Sequence, residues 1–189
     1  ERVAADGLVS ICEKKNEFSI VEINSETDFV AKNSEFINFV EEISELALSN
    51  LGKMENIITS KMKNKKTVND NLVALISKIG EKITLRRSDF ISPEKCINFS
   101  YTHLPVKKNL GKIGVLLSLE TQNKKDDLIE LGKQLSMHIA ATSPLAIDKE
   151  DLDKNLIQKE KEIITEELKN TGKDIKIIDK ITLGKLNKF

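Results

Sequence analysis

Gly7-Leu8-Val9-Ser10-Ile11-Cys12-Glu13-Lys14 and Phe18-Ser19-Ile20-Val21-Glu22-Ile23-Asn24, joined by Lys15-Asn16-Glu17, read as two strands and a short polar turn. Val9 and Ile11 alternate with Ser10 and Cys12, and Val21 and Ile23 alternate with Ile20 and Glu22. A period of two predicts an antiparallel hairpin, here with one well-buried face. Downstream the period changes. Over residues 34–50, Phe36, Phe39, Val40, Ile43, Leu46 and Ala47 recur at helical spacing and make one apolar stripe. Asn50-Leu51-Gly52 is the expected stop. A hairpin feeding an amphipathic helix is an α+β signature.

Working outward, residues 53–68 are Lys-rich and irregular. Asp70 is the expected cap of a helix ending near Ile79, with Leu72, Leu75, Ile76 and Ile79 on one face and Gly80 as its stop. Ile83, Leu85 and Arg87 alternate with Thr84, Arg86 and Ser88 as a third strand. Ser92-Pro93 marks a boundary, after which the pattern restarts. Ile97, Phe99 and Tyr101 mark one strand, and Ile113, Val115, Leu117 and Leu119 another. A helix over 126–142 carries Leu128, Leu131, Leu135 and Ile139, and Ser143-Pro144 stops it. In the tail, Leu156 and Ile163, and Ile157 and Ile164, lie seven apart, then Leu168 follows. Asn170-Thr171-Gly172 breaks the run, and Asp174 is placed to cap a last helix bearing Ile175, Ile178, Ile181 and Leu186. The expected architecture is α+β in two related lobes, 1–92 and 93–189. Each has a short antiparallel sheet covered by helices, and a helical hairpin spans about 152–188. The second lobe supplies only two strands, poor company for so apolar a strand as 113–119. A further strand beyond Phe189 is expected, in a longer protein.

Composition narrows the function classes. The 189 residues hold 30 Lys+Arg against 30 Asp+Glu, so net charge is zero. Counterion-release binding needs a cationic excess, so general nucleic-acid or acidic-membrane binding is not expected. With 27 Lys, 15 Asn and 23 Ile but 3 Arg, the composition follows AT-rich codons. The run Lys61-Met62-Lys63-Asn64-Lys65-Lys66 therefore reads as a solvated face. No apolar run approaches the roughly 20 residues needed to span a bilayer, and the opening Glu1-Arg2-Val3 is not a signal peptide. Cys12 and Cys96 fit neither a disulfide scaffold nor metal-ligand spacing.

Catalytic motifs are missing. There is no Gly-x-Ser-x-Gly, Walker loop, Cys-x-x-Cys or His-Glu-x-x-His. Gly111-Lys112-Ile113-Gly114 opens a strand and is not a phosphate loop. His138 reads as a satisfied, half-buried side chain, and His103 sits on a loop leaving a strand. The informative pair is Asp28-Phe29, in a segment leaving a strand. Phe29 is either a core anchor or an exposed aromatic wedge beside a carboxylate. A wedge can enter a partner's pocket, and the carboxylate can compete for a magnesium shell.

Glu22-Ile23-Asn24-Ser25-Glu26-Thr27-Asp28-Phe29-Val30-Ala31-Lys32-Asn33, with Phe36 beyond, closely resembles the signature of the translation elongation factor Ts family. Val3-Ala4-Ala5-Asp6-Gly7, Lys78-Ile79-Gly80-Glu81, Tyr101-Thr102-His103, Gly111-Lys112-Ile113-Gly114, Met137-His138-Ile139-Ala140-Ala141 and Gly184-Lys185-Leu186 resemble further family segments in the same order. The resemblance implies a guanine nucleotide exchange factor, not an enzyme of covalent chemistry and without a resident cofactor. Its implied partner is elongation factor Tu in its GDP form, with the partner's magnesium. The family's partner-binding positions correspond to Thr27, Asp28, Phe29, Val30, Ile79, Gly80 and His103. It moves Phe29 and His103 towards exposure. It also implies bacterial-type translation, in a bacterial cytoplasm or a translating organelle.

The family's leading helical domain is absent from these residues, the first hairpin loop is short, and the Lys-rich 60–66 lies outside the shared motifs. Rival readings are a structural or homodimerising module without exchange activity, a small hydrolase or transferase built on Asp28, His103 and His138, and an RNA-binding protein. The last two lack a nucleophile motif and cationic, aromatic surface respectively.

Overall fold

The computed structural model describes residues 3–92, 95–122, 124–169 and 175–186. Expectations at Glu1 and Arg2, Pro93, the Asn170–Gly172 break, the Asp174 cap and Asn187 to Phe189 lie outside them. The chain separates into two compact units, residues 1–142 and 143–189. The division expected after residue 92 falls inside the first unit.

In the first unit, strand β1 (Asp6–Lys14) and strand β2 (Glu17–Ser25) form the expected hairpin. Its two turn residues, Lys15 and Asn16, have φ of 50° and 63°. Two left-handed residues are what a tight hairpin turn between twisted strands needs. Helix α1 (Asp28–Ala31) is a single turn, and helix α2 (Ser34–Ser49) follows. Asn33 caps α2, its side chain accepting from the amides of Glu35 and Phe36. The predicted stripe is the buried one: Phe36, Phe39, Val40, Ile43 and Ala47 pack with Leu8, Val21 and Ile23. Ser19 anchors β2 to the helix through its hydroxyl, which donates to the Ser44 carbonyl at 3.0 Å.

The irregular stretch contains a helix that local pattern did not show, α3 (Met54–Thr59), with Ile57 buried. Helix α4 (Val68–Ile79) starts two residues before the expected Asp70. Thr67 is its cap and Asp70 completes a reciprocal capping box, so both residues satisfy orphan donors of the first turn. Gly80 ends α4 in the left-handed conformation.

Strand β3 (Thr84–Ile91) pairs with β2. Strand β4 (Cys96–Lys107) and strand β5 (Leu110–Glu120) form a long ribbon. The two-sheet expectation is corrected here. All five strands belong to one sheet in the order β3-β2-β1-β5-β4. The seam is narrow: Val9 pairs with Gly111 and Ser10 with Leu110. The apolar β5 finds its second neighbour in β1, a pairing across a hundred residues that no local periodicity encodes.

A second correction concerns the hairpin's faces. The register sets Ser10 opposite Val21 and Leu8 opposite Ile23, while Val9 faces Glu22 and Ile11 faces Ile20. Val9 and Ile11 therefore lie on the face opposite to Val21 and Ile23, and Leu8 joins the helix-covered core. Both faces are covered. A Cβ on Gly114 would come within 2.7 Å of Val9 and Ile20 side chains, so β5 lies tight against the second face. Asn98 of β4 fastens the ribbon to the hairpin tip, its side-chain amide donating to the Asn16 carbonyl at 2.8 Å.

Helix α5 (Lys125–Thr142) packs on the ribbon, with Gly132 directly against the Phe99 ring and Ser136 buried. His138 lies off that ridge and is exposed, which corrects the half-buried expectation.

In the second unit, helix α6 (Lys154–Lys169) and helix α7 (Ile175–Leu186) share a small core of Ile164, Leu168 and Ile178. Leu156 and Ile163 are exposed. Among the described residues, no helix is long and apolar enough to cross a membrane.

Candidate functional site

Strand β2 ends at Ser25, and the chain must turn there into α2. The Ser25 hydroxyl donates to the Thr27 carbonyl at 2.9 Å and starts the turn. The single helical turn α1 then places neighbouring side chains oppositely. Val30 is 5% exposed and Ala31 1%, both in the core, whereas Phe29 is 77% exposed. The anchoring role open to Phe29 belongs to Val30 instead. Asp28 holds Lys32 one turn on at 2.6 Å, with both side chains largely in solvent. The Lys32 ammonium also lies 5.9 Å from the Phe29 ring centroid, at the outer limit of a cation–π contact. An exposed ion pair of this kind is worth little, so Asp28 can exchange partners at small cost.

Thr27 joins this segment to the end of α4. Its amide donates to Glu81 Oε2 at 3.1 Å and its hydroxyl to Glu81 Oε1 at 2.7 Å. Coming back, the Lys82 amide donates to Glu26 Oε1 at 2.6 Å. Thr27 to Val30 and Ile79-Gly80 are thereby brought together. Gly80 has φ of 79°, and a Cβ there would meet only open space, so backbone conformation rather than crowding favours glycine. Glu81 was part of the sequence pattern at Ile79-Gly80. A role for it could be read only after the fold placed it beside Thr27.

His103 lies within β4 rather than on a loop, because the strand runs on to Lys107. It is exposed, and its Nδ1 lies 3.1 Å from the Tyr101 hydroxyl. Register links it to the same end of the sheet. His103 pairs with Ile113, the adjacent Lys112 bonds the Asp6 carboxylate, and Asp6 pairs with Ser25. Around His103, Leu104, Val106 and Ile113 are exposed. In sequence Ile113 reads only as a strand residue and Leu104 and Val106 carry no pattern, whereas uncovered apolar residues at the end of a charged ribbon are a docking signal.

Two carboxylates stiffen this region. The Lys112 ammonium, with the Gly7 amide donating at 2.6 Å, holds the Asp6 carboxyl below its ordinary value of 3.8. Burial opposes charge on Glu22, but hydrogen bonds from Arg87 and Asn24 and the charges of Arg87 and Arg86 prevail and lower its pKa. A carboxylate whose folded pKa is depressed adds stability that is present above its unfolded pKa and lost as pH falls through the folded one. The Asp6–Lys112 contribution is therefore present above about pH 4 and is lost progressively as pH falls from there through the lowered folded value. Asp6→Asn is expected to lower the urea midpoint near neutrality, with its curve merging with the native one in acid. Parallel curves down to about pH 2 would show that the pair contributes nothing.

Asp28, His103 and His138 share no hydrogen bond. A half-open cleft of about 510 Å³ lies among Val9, Ile20, Glu22, Arg87, Lys112 and Leu116, but its cations already bond Glu22 and Asp6. No cluster of three His, Cys, Asp or Glu suited to a metal occurs among the described residues.

The family model described as Elongation factor TS matches residues 26–189. The Elongation factor Ts of Parvibaculum lavamentivorans is 41% identical over 189 residues, covering 100% of this chain and 61% of that protein. The Elongation factor Ts of Gluconobacter oxydans is 38% identical over 188 residues, covering 100% of this chain and 62% of that protein. That of Bartonella quintana is 41% identical over 189 residues, with 100% and 62% covered. The chain thus spans less than two thirds of the length of these relatives.

Proposed function

The chain belongs to the elongation factor Ts family, and from that premise we propose that it binds elongation factor Tu in its GDP form and promotes release of GDP during translation elongation. The observation that carries this reading is Phe29, a large aromatic standing in solvent beside Asp28, on a segment bonded to the Ile79-Gly80 turn. An isolated domain gains nothing from displaying a phenylalanine, whereas a partner's pocket does.

No covalent step is involved; the action is linkage. If the chain and GDP favour different conformations of one partner, each weakens the other's binding by the same factor. Phe29 acts as a wedge that is buried only in the nucleotide-loosened state. Full burial of such a side chain is worth about 1.5–3 kcal/mol. Asp28, released from Lys32, competes for the partner's magnesium shell, and disturbing that cation weakens the hold on the diphosphate. Ile79, Gly80 and His103 fix the pose, with Leu104, Val106 and Ile113 as the apolar surface around His103. Thr27 and Val30 secure the wedge to the chain.

The test is release of a fluorescent GDP analogue from purified elongation factor Tu, with and without the chain. Acceleration by the native chain, lost in the Asp28→Ala, Phe29→Ala double variant, is the expected result. Binding without acceleration would replace this reading with that of a docking module, and absence of binding would remove it.

A further inference from the structure

We propose that Glu81 is a positioning residue, which holds the segment of Thr27 to Val30 against the Ile79-Gly80 turn and so presents Phe29 in one pose. The proposal rests on the exchange reading above and deepens it. Helix α1 has four residues. One turn closes too few hydrogen bonds to hold its own geometry, because helix nucleation is unfavourable. Thr27, at its N-cap position, makes no side-chain cap bond to the helix. Its hydroxyl donates to Glu81 instead, and so does its amide. Both oxygens of one carboxylate are engaged, and hydrogen bonds to an ionised acceptor are the strong ones. Two contacts on one group fix direction as well as distance. The Lys82 amide bonding Glu26 makes the attachment reciprocal, so the chain is held at Thr27 and at the residue just before it. Glu81 reaches Thr27 because the left-handed Gly80 turns the chain sharply at the end of α4.

A wedge gains most from being ordered before it docks, because the cost of ordering is then met in folding rather than in binding. Glu81 touches neither nucleotide nor magnesium in this scheme. It acts through Phe29, and that makes a specific signature. Glu81→Ala is expected to lower the maximal rate of GDP-analogue release from elongation factor Tu by about tenfold, in keeping with the cost of a small misplacement. The half-saturating concentration should change less. In the Phe29→Ala background the same substitution should have no further effect on rate, since the group being positioned is gone. Thr27→Val, which removes the hydroxyl donor, should resemble Glu81→Ala, and Thr27→Ser should behave as native.

Amide hydrogen exchange of the free chain supplies an arm independent of the partner. The amides of Lys32 and Asn33, which close the turn by donating to the Phe29 and Val30 carbonyls, should exchange faster in Glu81→Ala while α2 and the sheet stay protected. Unchanged protection of the Lys32 and Asn33 amides overturns the proposal. So does an equal loss of release rate with and without Phe29, which would indicate general damage. If the native chain fails to accelerate release, the exchange reading falls and takes the role of Glu81 in exchange with it. The amide measurement distinguishes that failure from failure of the attachment itself.

Discussion

Phe29→Ala is expected to slow GDP release from elongation factor Tu by about ten- to a hundredfold, the equivalent of losing burial of one aromatic side chain. Its thermal midpoint should stay within about 2 °C of native, because an exposed side chain without core contacts contributes little to stability. The adjacent residue should behave in the opposite way. Val30 lies in the core with Ala31, Phe36 and Leu8. Removing its methyl groups leaves a cavity and lowers stability whatever it does to exchange. The contrast between neighbours makes the test sharp. Circular-dichroism melts and release kinetics on the same two samples separate wedge from anchor. A large fall in melting temperature for Phe29→Ala would show that its ring is part of the core in solution.

The second large effect falls on Gly7. Its φ is 134°, and a Cβ there would run into the Ile23 carbonyl oxygen and lie 2.7 Å from the Asn24 Cα. Neither contact can relax by rotating a side chain, because both atoms are backbone of the paired strand. Gly7→Ala therefore combines backbone strain with overpacking, each about 1–3 kcal/mol, for a total of roughly 2–6 kcal/mol. A urea midpoint should show a loss comparable with a sizeable fraction of a domain's stability. The loss also reaches the site. Gly7 sits between Asp6, which takes Lys112, and Leu8, which enters the core. A native-like midpoint for Gly7→Ala would mean that β1 and β2 separate more easily at that end than their pairing indicates.

These two positions differ in how far they could be read from sequence. The candidate segment at Phe29 stands out because it combines unusual neighbours, an acidic residue and an aromatic immediately after a strand, within an ordered set of family likenesses. The α2 stripe was legible because one helix face is buried and the other wet, so the period survives. The hairpin faces were harder. Val9, Ile11 and Ile20 lie under the ribbon while Val21 and Ile23 lie under α2, so apolar residues occur on both sides and alternation loses its direction. Helix α3 is not legible in sequence, because a six-residue helix with one buried side chain has too little pattern to detect. Thr67 does not stand out as the cap, because Asp70, three residues on, is an equally good capping type and the two act together. His103 reads as a loop residue in sequence because Pro105 interrupts the strand signal. The ribbon instead absorbs the irregularity as a register shift between Pro105 and Lys107.

The narrow seam between β1 and β5 also bears on how the chain is made. Strands β1, β2 and β3 and the helices between them are complete by Ile91, but the partner of Val9 and Ser10 is not synthesised until Leu110 and Gly111. A ribosome adding about 5–20 residues per second takes several seconds to travel from the end of β2 to that point. For that interval β1 is an open edge on a nascent chain, with unpaired backbone groups at Val9 and Ser10. Open edges recruit other strands. Glu13 and Lys14, exposed at the far end of β1, are the kind of charges that discourage such pairing. Growth of the chain in one direction thus leaves the centre of the finished sheet as its last vulnerable border.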